Sequence, residues 1–135
     1  MIVVDTTVWI DFLNAARTPE DFHLQELIVE GQSIALTDLI FCEILQGIRD
    51  DPEMARTRTH LLHYPILRLD TLGRFEQGAN IYRACRKQGL TIRKTIDCLI
   101  AAVCITNKVA LFHKDSDFDC IARVTPLQIH SFSTS

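Results

Sequence analysis

The sequence has no apolar run long enough to cross a membrane; its longest, CLIAAVCI from Cys98 to Ile105, suits a buried helix. It has no basic leader. The chain opens MIVVD, apolar from residue 2, so no signal peptide is expected. It has no C-x-x-C pair, and its five cysteines (Cys42, Cys85, Cys98, Cys104 and Cys120) are odd in number, which argues against a disulfide framework or a zinc knuckle. All five sit among apolar or helical neighbours, where a free thiol behaves as a small hydrophobe, and a reducing cytoplasm is the expected compartment. Positive charge is not in excess. A net charge of -3 excludes a strongly basic nucleic-acid binder but leaves room for a local basic patch. Linkers, internal repeats and low-complexity stretches are also missing.

What remains is a globular composition, 47% hydrophobic and 23% charged over 135 residues, enough for a single domain spanning 1–135 with a sizeable core. Short apolar runs predict strands at 1–4, 33–37, 66–69, 109–113 and 127–132. Helical spacing, Pro near the start of some segments and Gly at the end of others predict helices at 7–13, 19–31, 38–48, 52–64, 71–89, 94–107 and 117–124. The helix at 94–107 is apolar nearly all round and is expected inside the domain. Strands alternating with helices mean an α/β fold, a parallel sheet covered on both faces.

Ligands of such sheets bind at the carboxyl ends of the strands. Four strands end at or just before an acid: Asp5, Asp38, Asp70 and Asp115. Asp38 and Asp70 are read as helix N-caps. Asp115 opens the alternation Asp115, Asp117, Asp119, and like charges so close need a cation, protons or water to be tolerated. Glu43 is the only charge in the apolar helix LIFCEILQGI, costly there unless it is paired, metal-bound or snorkels at the helix edge. Asp97 is the only charge between Thr95 and Asn107. With Thr95 as a cap it falls in the first turn, where a negative side chain is favoured in any helix; an internal helix would also open it on the same edge as Asp5 and Asp115. Asp5, Glu43, Asp97 and Asp115 therefore come from four elements that the sheet topology can converge, with Asp117 close by. Several hard oxygens in one cleft suit Mg²⁺ or Mn²⁺. Asp119 reads as solvated.

Two other metal readings fail. An EF-hand loop starting at Asp115 would have Cys120 where it needs Gly and Pro126 where it needs Glu. His60 and His63 have helical spacing but no evident third ligand, and read as a surface pair. Of the basic residues, Arg83, Arg86 and Lys87 share a helix face, Lys94 follows Arg93, and Lys114 adjoins Asp115. Arg93 lies just upstream of Asp97, and an arginine beside a metal cluster suggests a phosphate in the site.

The segments MIVVDTTVWI, CEILQGI, GLTIRKTIDCLIAA and LFHKDSDFDCIA, in that order over almost the whole chain, resemble the PIN-domain ribonucleases, specifically VapC-type toxins of toxin–antitoxin pairs. The resemblance implies a PIN-like three-layer α/β/α sandwich with a five-stranded parallel sheet. It implies a metal-dependent endoribonuclease, a homodimer, and neutralisation by a cognate antitoxin. It gives Asp5, Glu43, Asp97 and Asp115 the four acidic positions, as metal ligands and catalytic groups, with Asp117 auxiliary. Thr7 takes a polar role in placing metal or water, and Gln46 and Arg93 match recurrent positions. Hydrolysis by a metal-activated water would leave 5′-phosphate and 3′-hydroxyl ends. Two alternatives stay open from the sequence. A phosphoacceptor receiver would need paired acids after the first strand and a lysine near the fifth, neither present. A DNA-acting PIN nuclease usually carries long insertions, for which this chain has no room.

Overall fold

The computed structural model describes residues 1–133. The elements, in order, are β1 (Ile2–Val4), α1 (Thr6–Leu13), α2 (Pro19–Val29), β2 (Ile34–Thr37), α3 (Asp38–Gln46), α4 (Asp51–Leu61), β3 (Ile66–Leu67), α5 (Leu72–Lys87), α6 (Thr95–Asn107), β4 (Ala110–Phe112), α7 (Ser116–Val124) and β5 (Gln128–Ile129). All predicted elements are present, with ends shifted by a few residues. Gly31 (φ 71) and Gly89 (φ 74) take the left-handed conformation just past α2 and α5, where a Cβ would be strained.

The sheet has five strands in the order β3-β2-β1-β4-β5, every pair parallel. Val3 sits opposite Ala35 on one side and Leu111 on the other, and Val4 opposite Phe112. These residues are fully buried, as expected of strands covered on both faces. The order also explains the layers. From β1 the chain steps one way to β2 and β3, then back across to β4 and β5. Right-handed crossovers put α1–α4 on one face and α5–α7 on the other, and α1 packs on α2 and α3 while α5 packs on α6 and α7. The direction reverses between β1 and β4, so a crevice opens beyond the carboxyl ends of these two strands. There α3 and α6, from opposite layers, touch.

Helix α6 is internal, as its composition requires: Cys98, Ile100, Ala101, Ala102, Val103 and Cys104 are all buried. Burial pushes the Cys98 and Cys104 thiols up to about 12, so both stay protonated and act as hydrophobes. Cys42 departs from that pattern and is exposed on α3. Two cap assignments also change. Thr37 is the cap that accepts from the Ile40 N–H at 3.1 Å, one residue before Asp38. Asp38 instead accepts from the Leu69 N–H at 2.9 Å and so ties the start of α3 to the chain just past β3. Asp70 precedes the cap residue Thr71 and lies 3.9 Å from Arg74. Likewise Lys94, not Thr95, holds the cap position of α6, and its side chain offers no acceptor. His60 is no surface residue: its ring packs on Phe12, Trp9 and Tyr64, while His63 is exposed.

Candidate active site

Asp5 directly follows β1 and caps α1. Its Oδ2 accepts from the Thr7 N–H at 3.2 Å and from the Thr7 hydroxyl at 2.7 Å. The carboxyl is buried, and burial raises its pKa against the lowering effect of the Thr7 hydrogen bonds. Asp115 follows β4 in the same way and caps α7, its Oδ1 accepting from the Asp117 N–H at 3.0 Å. The two strand-end acids are therefore helix caps, and the same geometry turns them toward the crevice between β1 and β4.

Asp97 is the third residue of α6 and is 4% exposed. Its Oδ2 is buried with no hydrogen-bond partner. Burial, then the charges of Asp5 and Asp115, push its carboxyl up to about 7, with Lys94 opposing. Oxygen atoms of Asp97, Asp115 and Asp117 lie within 4.8 Å of one another. Glu43 is half-buried on α3; its Oε1 accepts from the Thr6 hydroxyl at 2.8 Å. Burial raises its pKa, and so does Asp5, while Thr6 and Lys94 work the other way. Asp5, Glu43 and Asp97 thus feel one another's charge, as the topology suggested.

Arg93 spans two of the acids. One guanidinium nitrogen lies 3.0 Å from Asp115 Oδ1, while Nε and the backbone N–H each lie 3.2 Å from Asp117 Oδ2. Its side chain is 67% exposed, so part of the fork still faces solvent. Asp119 is exposed and 3.1 Å from His113 Nε2. Gln46 is exposed at the end of α3. Thr6 carries a contact that sequence reading missed; the doublet of hydroxyls in DTT was its only signal. Asp117 is a buried member of the cluster.

The donor set suits a hard divalent cation: carboxylate oxygens only, one of them an orphan on a buried aspartate. Likeness to known proteins agrees with this geometry. The PIN domain family profile matches residues 2–124. The chain belongs to the PIN-domain family. Within it, this PIN domain is 38% identical over 133 residues to Ribonuclease VapC11 of Mycobacterium tuberculosis, covering 98% of this chain and 99% of that protein. VapC ribonuclease Mb1587 of Mycobacterium bovis matches with the same identity and coverage. Among solved structures, VapBC2 from Rickettsia felis bound to a promoter DNA fragment superposes with a TM-score of 0.74 at 18% identity, covering 98% of this chain and 100% of that one. FitAcB from Neisseria gonorrhoeae gives 0.73 at 20%, covering 97% of each. At those identities the likeness is one of fold, and it is the three-layer PIN fold. Membership sets aside the phosphoacceptor receiver.

Proposed function

We propose that this chain, a single PIN domain over 1–135, is a Mg²⁺-dependent endoribonuclease, with Mn²⁺ as a substitute, and the toxin of a toxin–antitoxin pair. The observation that carries it is the buried Asp97, with an unpartnered oxygen beside Asp115 and Asp117, in a chain 38% identical to named ribonucleases. Asp97, Asp115 and Asp117 would hold the cation, with Asp5 and Glu43 completing the acidic wall. When bound, such a cation acidifies a water and offsets charge on the departing 3′ oxygen. The chain's own residues supply the rest. Thr7 and Thr6 hold Asp5 and Glu43 by hydroxyl hydrogen bonds. Arg93 keeps Asp115 and Asp117 together and presents its solvent side to a phosphate. RNA cut in this way carries 5′-phosphate and 3′-hydroxyl ends.

The partner reading rests on the company of the fold. The structural neighbours include a toxin–antitoxin complex from Klebsiella pneumoniae and a member of the VapBC family of toxin–antitoxin systems from Mycobacterium tuberculosis, which supports a cognate antitoxin here. Phe22 and Val29 on α2, and Leu62 just past α4, are large exposed hydrophobics and support a homodimer through these helices. Light scattering at micromolar concentration would report a monomer if that is wrong. No helix of the described residues is long and apolar enough to cross a membrane, in keeping with a cytoplasmic protein.

The test of the activity is Asp97→Asn. The substitution is nearly isosteric, and Asn is tolerated at a helix start. Purified wild type and variant are incubated with cellular RNA and Mn²⁺, and the new ends are sequenced. Cleavage and growth inhibition should vanish in a folded variant. Cleavage at the wild-type rate would show Asp97 to be only a helix-end residue.

A further inference from the structure

The ladder between β1 and β4 ends where the Asp5 N–H donates to Phe112 O at 2.9 Å. Asp115 lies three residues beyond that bond, on a segment the sheet no longer holds. Something else must set its carboxylate against that of Asp5. Two contacts from Lys114 reach α1. Its backbone N–H donates to Thr7 Oγ1 at 3.2 Å, and its ammonium lies 2.5 Å from Asp11 Oδ2. Thr7 and Asp11 are four residues apart on α1 and so share a face. The Thr7 hydroxyl passes the link on by donating to Asp5.

Asp11 is anchored from a second side. Its Oδ2 also accepts from the hydroxyl of Thr18, the cap of α2, at 2.6 Å. The Asp11 and Lys114 side chains are only 15% and 32% exposed, so the pair is partly withdrawn from water. Burial alone would raise the Asp11 carboxyl, but the hydrogen bonds from Lys114 and Thr18 outweigh it and hold it below the ordinary value. Glu20 is 4.0 Å from the same ammonium and adds a looser contact. The one lysine adjoining Asp115 is thus spoken for by α1.

We propose that Asp11 and Lys114 are positioning residues whose ion pair braces the Asp115 segment against the helix that Asp5 caps, fixing the two carboxylates relative to each other. The inference rests on the reading of these acids as a cation site. Groups that orient metal-binding carboxylates typically change metal affinity 10–100-fold when lost.

The experiment compares wild type, Asp11→Asn, Lys114→Met, the double variant, Lys114→Arg and, as control, Glu20→Gln. Mn²⁺ binding is followed by calorimetry, hydrogen exchange by NMR, and cleavage by kinetics. Both single variants should bind Mn²⁺ at least ~10-fold more weakly, and the double variant no worse than either single one. Lys114→Arg and Glu20→Gln should stay near wild type. The Lys114 and Asp117 amides should lose protection while that of Leu111 keeps it, and kcat should fall with KM for RNA unchanged. Unchanged Mn²⁺ affinity in either folded variant overturns the proposal. If Asp11→Asn does not fold, Lys114→Met decides, since its apolar stem keeps the packing. If wild type itself binds no Mn²⁺, the cation-site reading falls. The Lys114 and Asp117 amides then decide the brace alone, retained protection in the variants overturning it.

Discussion

The Thr6 hydroxyl donates to Glu43 Oε1 over 2.8 Å, joining the first residue of α1 to the middle of α3. This bond keeps a half-buried glutamate aimed at the crevice and opposes the rise in its pKa.

Thr6→Val should therefore raise the Glu43 pKa further and weaken Mn²⁺ binding. A hydrogen bond to a charged group contributes ~1.5–3 kcal/mol, so a loss of about tenfold or more in affinity is expected, with Thr6→Ser close to wild type. Calorimetric titration of the three proteins checks this. Equal affinities would mean that Glu43 is oriented by its helix alone.

The pH dependence of the metal-free protein has a defined sign. Asp97 titrates at about 7 in the fold, against an ordinary value of 3.8. The folded protein then binds more protons than the unfolded chain between those values. This contribution is full below the ordinary value and is lost as pH rises toward 7. Asp5 and Glu43 are raised too and act in the same direction. In chelator, Asp97→Asn should gain stability over wild type as pH climbs from 4 to 8, by at most ~4 kcal/mol at 1.36 kcal/mol per unit. Millimolar Mn²⁺ should favour wild type instead. Melting curves across pH give the answer, and a difference that does not grow with pH would contradict it.

A pair of histidines lies away from the acids. The Nε2 atoms of His23 and His130 are 2.8 Å apart, so one must donate and the other accept. Burial, then His23, hold the His130 imidazole below its ordinary 6.5. A depressed imidazole contributes stability at higher pH that is lost as pH falls below 6.5. His23 also stacks on Phe132 at 4.2 Å between ring centres, and the His130 N–H donates to Leu111 O at 2.9 Å. The protection of the His130 amide, measured against its intrinsic exchange rate at each pH, should therefore fall between pH 7 and 5, while the amides of β1 keep theirs. His23→Phe keeps a ring for the stack and should flatten the response.

Gly78 lets α5 pack tightly against α6. A Cβ built there would sit 2.6 Å from Leu99 Cδ2. Gly78→Val should destabilise by ~1–3 kcal/mol through overpacking. Gly78→Ala should cost less, because alanine recovers ~0.5–1 kcal/mol of helix preference and the leucine tip can turn. Because α6 carries Asp97, the valine variant should also bind Mn²⁺ more weakly. Denaturant melts and titrations of both variants would expose the opposite order.

Much of this was legible in the residues because it is local or periodic. The alternation of apolar runs with helical spacing gave the layers and the five strands, and strand-end acids pointed to the crevice. Contacts between distant segments were not legible. Thr6 and Glu43 are 37 positions apart, and no pattern in either segment announces the other. The caps were misread where threonine and aspartate are neighbours, at Thr37–Asp38 and Asp70–Thr71. Either residue can cap, and the choice falls to tertiary geometry, such as the Leu69 N–H that claims Asp38. His60 looked like half of a surface pair because the ring it packs under, Trp9, is remote in sequence.

The pairing of β1 with β4 joins residues 2–4 to residues 110–112. Loop closure over that span is slow compared with local helix formation. On a ribosome, Asp5 and Glu43 emerge early but meet Asp97 and Asp115 only once most of the chain has been made. A truncated or still-growing chain would hold scattered acids and no converged site. The sheet order thereby ties competence to near-complete synthesis, leaving little opportunity for premature RNA cleavage at the translating ribosome.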